Sequence, residues 1–79
     1  MSLQKQIDAY NNALDFYNEV ESSLKAEQEA YCRFASKYPI GSKLSFSVWL
    51  DYQISDAIKA VRNEGNPVTV EAVVANLLN

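Results

Sequence analysis

Apolar residues recur through the first half of the chain at Leu3, Ile7, Tyr10, Leu14, Tyr17, Val20, Leu24, Tyr31, Phe34 and Tyr38, mostly three or four positions apart. That spacing lays them along one stripe of an α-helix and predicts a helix over about 3–37. Ser2 is a suitable N-cap, and Lys37 brings a cation to the end where the helix dipole is negative. Pro39 disfavours helical geometry at Tyr38, so the helix is expected to stop there. No glycine or proline interrupts the first 38 residues, which favours helix over sheet.

Tyr38-Pro39-Ile40-Gly41-Ser42-Lys43 reads as a turn. A second helix follows over about 45–63, capped by Ser45 or Ser47. Its stripe is Leu50, Ile54, Ala57, Ile58 and Val61, while Phe46, Val48, Trp49 and Tyr52 add apolar surface on other faces. Leu44, Phe46, Val48 and Leu50 also alternate, so a strand over 43–50 is the rival reading. Gly65 falls where helices commonly close, Pro67 blocks continuation, and Thr69 caps a third helix over about 69–78. Val73, Val74, Leu77 and Leu78 supply its buried edge. The expected fold is all-α: one long N-terminal helix and two shorter ones packed as a small helical bundle, in a single helical domain over 1–79.

An unbroken first helix would be roughly 50 Å long at 1.5 Å per residue. A compact chain of 79 residues has a radius of gyration of about 12 Å and is roughly 30 Å across. The helix then overhangs its own domain. Either it breaks, with Ser22-Ser23 the candidate position, or a second chain covers its apolar stripe. Ser23 is followed by Leu24, Lys25 and Ala26, with no capping box to begin a new helix, so the unbroken helix and a homodimer are expected. The interface residues implied are Leu3, Ile7, Tyr10, Leu14, Tyr17, Leu24 and Tyr31, with Trp49 and Tyr52 as a second aromatic surface or as core. Positions seven apart read Leu3, Tyr10, Tyr17, Leu24, Tyr31, Tyr38, but the companion series Ile7, Leu14, Glu21, Gln28, Ala35 turns polar in its middle. Helix packing is therefore better supported than a regular coiled coil, whose seam needs apolar knobs on both series.

Composition narrows the chemistry. There is no histidine and one cysteine, which removes His-dependent catalysis and leaves no ligand set for zinc. The two glycines lie 24 positions apart, so no glycine-rich phosphate loop exists. Ser22-Ser23-Leu24-Lys25 spells S-x-x-K, but Ser55-Asp56 is followed by Ala57 and no K-T-G element accompanies it. The serines read as a helical surface. Cys32, next to Arg33, reads as a small residue packed between Tyr31 and Phe34 rather than a reactive thiol. Glu19, Glu21, Glu27 and Glu29 lack the turn that folds acids around a cation and read as a solvated face. No catalytic residue, cofactor or metal is expected.

Net charge is −3, which opposes general attraction to nucleic acid or anionic membrane but leaves room for a small local basic patch. No apolar run is long enough to span a bilayer, and the N-terminus lacks a signal-peptide pattern. With its lone thiol, the chain is expected in the cytoplasm.

The segment AIKAVRNEGNPVTVEAVVANLL, Ala57 to Leu78, resembles the first two helices of helix-turn-helix regulators, which often begin the supporting helix with a V-T-V-x-x-V-A pattern. The resemblance implies a helix–turn–helix junction. In that family a helix carrying the base-contacting residues follows; here the sequence ends at Asn79, and Lys59 and Arg62 are the only cations after Lys43. The expected function is a small non-enzymatic helical protein acting through contact with an unidentified protein partner, as a homodimer. The alternatives are a nucleic-acid-associated accessory factor and an acidic phage-type inhibitor of a nucleic-acid-binding protein.

Overall fold

The computed structural model describes residues 3–79, and side chains for 3–5 and 12–79. Ser2, and the side chains of Ile7 and Tyr10, lie outside the described residues. Four helices make up that portion: α1 (Leu3–Ala26), α2 (Gln28–Ala35), α3 (Phe46–Asn63) and α4 (Val70–Leu78). The architecture is an all-α bundle with no strand among the described residues. The rival strand over 43–50 is overturned, because Ser45 caps a helix there: its hydroxyl accepts the Val48 N–H at 3.3 Å.

The expected helix over 3–37 is two helices. The break falls at Glu27 (φ −90°, ψ 71°), beyond Ser22-Ser23, and α2 ends at Ala35. Glu27 N–H closes α1 on Leu24 O at 3.2 Å, and Tyr31 N–H opens α2 on Glu27 O at 2.7 Å. The cause is polarity on the inward line. In a continuous helix the face that buries Val20 and Leu24 would next present Glu27 and Gln28, whose burial without partners is costly. Breaking the helix leaves both exposed and lets Phe34 reach the core.

After α2 the chain leaves through a tight turn, with Lys37 N–H bonded to Phe34 O and Tyr38 N–H to Ala35 O. The Tyr38 hydroxyl donates to Leu44 O and ties down the loop that carries Gly41. At the end of α3, Asn66 N–H donates to Val61 O (3.2 Å) and Gly65 N–H to Arg62 O (3.0 Å). This is a Schellman closure, and it needs the left-handed φ of +78° found at Gly65. Thr69 then caps α4 by accepting the Ala72 N–H at 3.1 Å.

The core is Val20 and Leu24 from α1, Phe34 from α2, Leu50, Ile54, Ala57 and Val61 from α3, and Val73, Val74 and Leu77 from α4. Helix α4 touches all three others, most extensively α3 and then α1, whereas α1 and α3 meet only slightly. It therefore wedges between them. Helices α2 and α3 meet through rings rather than close backbones: Phe34 stacks on Trp49 at 5.3 Å, and Tyr38 meets Phe46 and Trp49 edge-on. The molecule measures 42 × 30 × 23 Å with a radius of gyration of 13.9 Å, more elongated than the compact globule expected for its length.

Candidate protein-contact surface

Where α1 and α3 meet only slightly, a groove opens between them, lined by no residue of α4. Leu14, Tyr17 and Glu21 of α1 face Val48, Asp51 and Tyr52 of α3 across about 550 Å³. Each wall follows from helical spacing: 14, 17 and 21 rise along one edge of α1, and 48, 51, 52 and 55 along one edge of α3. Leu14 is 44% exposed, Val48 41% and Tyr52 59%. A cluster of exposed apolar and aromatic side chains in a concave face is a characteristic protein-binding surface.

The charge in the groove is acidic. Glu21 accepts a hydrogen bond from the Lys25 ammonium at 2.9 Å, one turn further along α1. That bond, with the carboxylate's charge, raises the Lys25 pKa above its ordinary value. Asp51 makes no ion pair among the described residues, and none of the lining residues is a lysine or arginine. The same Lys25 closes the S-x-x-K stretch, so its ammonium is engaged by Glu21 rather than by a serine.

The anticipated interface residues separate into distinct places. Leu14, Tyr17 and Tyr52 line the groove together, and Leu3 stands 71% exposed near the start of α1. Leu24 is a correction: at 0% exposure it belongs to the chain's own core, where α1 packs on α4. Tyr31 and Trp49 are half-buried in the ring cluster, Tyr31 edge-on to Phe46 at 6.5 Å. Ile7 and Tyr10 fall outside the described side chains. Val48 and Asp51 complete the groove without having been anticipated as contacts. The signal for Val48 was its apolar character off the buried stripe of α3; for Asp51 there was none.

Cys32 is exposed on α2 rather than packed between Tyr31 and Phe34. No group of three acidic or cysteine residues among the described residues is placed to hold a metal ion. No helix of the described residues is long and apolar enough to cross a membrane. No polar or charged side chain is buried among them. Comparison with known protein families, curated proteins and solved structures finds no match to this chain.

Proposed function

We propose that this chain is a non-enzymatic helical protein that acts through protein–protein contact on the face shared by α1 and α3, and that a second copy covers this face in a homodimer. The observation that carries the reading is the groove of Leu14, Tyr17, Val48 and Tyr52, left open where α1 and α3 meet only slightly. It continues onto a helix whose described residues before Phe16 contribute nothing to the core. A face of this kind is stabilised by covering its apolar area. Sedimentation equilibrium at micromolar concentration tests it: a species of twice the chain mass is expected, and a monomer there rejects the homodimer.

Two features favour protein contact over the nucleic-acid alternative. The outward edge of α4 presents Glu71 and Ala75, with no cation to meet a phosphate. The connection between α3 and α4 runs over six residues, 64–69, longer than the three or four typical of helix-turn-helix DNA readers. Absence of a gel shift with duplex DNA at low salt is the expected result.

A further inference from the structure

We propose that the cleft between α2 and α4, on a different surface from the α1/α3 groove, is a second binding site that takes an acidic segment of a partner protein, one whose carboxylates flank an apolar anchor. Two adjoining pockets of about 190 and 540 Å³ share Phe34, Lys37 and Leu77. The smaller adds Arg33 and Leu78; the larger extends to Trp49. The floor is apolar and aromatic, and the rim of the smaller pocket is cationic, opposite to the net charge of the chain. Arg33 in the last turn of α2 and Lys37 in the turn that follows line the smaller pocket together, both exposed, in a chain of net charge −3. Neither forms an ion pair among the described residues. Asp56 brings a carboxylate to the α3 side of the larger pocket, which Asn79 also lines, so the cationic character belongs to the smaller one.

Charge complementarity selects the occupant. In the smaller pocket the only ionised groups are Arg33 and Lys37, so a carboxylate entering there meets two cations. An apolar side chain beside it covers Phe34, Leu77 and Leu78. A guanidinium matches a carboxylate in a two-pronged hydrogen bond, and the apolar floor displaces the water that would screen it. A cationic segment is rejected by the same pair. Both cations also complement the C-terminal dipole of α2, a purely internal role that would give no preference between partners.

Trp49 is the single tryptophan and lines the larger pocket, so its emission reports on occupancy. The test titrates the intact protein with two designed helical peptides of identical leucine pattern, one flanked by glutamates and the other by lysines. Expected are a saturable change in Trp49 emission with the glutamate peptide, at least about tenfold tighter than with the lysine peptide, and weakening as salt is raised. Arg33→Glu/Lys37→Glu reverses the preference, and Lys59→Glu/Arg62→Glu on α3 leaves it intact, with circular dichroism confirming the fold. Should the charge reversal unfold α2, Arg33→Gln/Lys37→Gln replaces it and abolishes the preference without reversing it. Equal affinity for both peptides, no saturable change, or a preference that survives loss of both cations overturns the proposal. A monomeric protein in sedimentation leaves this site standing, because the two surfaces are separate.

Discussion

Gly65 and Leu24 show how differently two single positions hold this fold. Gly65 has a φ of +78°, and a Cβ built there would meet nothing within 4 Å. Its requirement is therefore purely one of backbone, and Gly65→Ala is expected to cost about 1–2 kcal/mol, the penalty for a left-handed L-residue. The check is the urea midpoint at constant slope. Leu24 needs its volume instead. At 0% exposure in the core, Leu24→Ala leaves a cavity and is expected to cost about 2–5 kcal/mol in the same measurement. Both positions were legible in the sequence, but to different depths. Gly65-Asn66-Pro67 announced a helix end because few residues tolerate that geometry. Leu24 announced only that it was apolar, and a stripe cannot say whether its own chain or another covers it.

Helix α2 is the element that depends most on its surroundings. Eight residues are too few to be stable alone in water, and no side chain caps its N-terminus. Phe34 is its buried anchor, between Trp49 and the end of α4. Phe34→Ala is therefore expected to cost about 3–5 kcal/mol. Amide exchange should show residues 28–35 losing protection first, while α3 and α4 persist until global unfolding. Equal loss across all helices would mean that α2 is not a separate cooperative unit. The break before α2 is where sequence reading fell short. At Ser22-Ser23, the candidate position, the chain stays helical, and α1 runs on to Ala26. The better signal was the polar pair Glu27-Gln28 on the inward line, of which the companion series shows Gln28. Its meaning depends on which direction is inward, and the position of α4 sets that.

Across the whole molecule, the consequence of the broken helix is a smaller overhang. At 24 residues, α1 is about 36 Å long, within the 42 Å long axis, so bare helix length no longer drives association as an unbroken helix would. What remains is the open face. Tyr52→Glu puts a third carboxylate beside Glu21 and Asp51 and removes an exposed ring, so it is expected to weaken self-association at least about tenfold, or ~1.4 kcal/mol. Because Tyr52 is 59% exposed, thermal stability of the isolated chain should change little; sedimentation velocity and calorimetry on one variant separate the two effects. The helical class, the cap at Thr69, the closure at Gly65 and most of the buried stripes of α3 and α4 were determined by the sequence alone, because each is a local rule of spacing or backbone geometry. The break at Glu27, the burial of Leu24, the placing of Leu14 and Tyr52 on one groove and the cationic cleft of Arg33 and Lys37 against α4 were decided only by tertiary structure. Each depends on which faces of separate helices meet, and that is settled by the wedge of α4 between its neighbours.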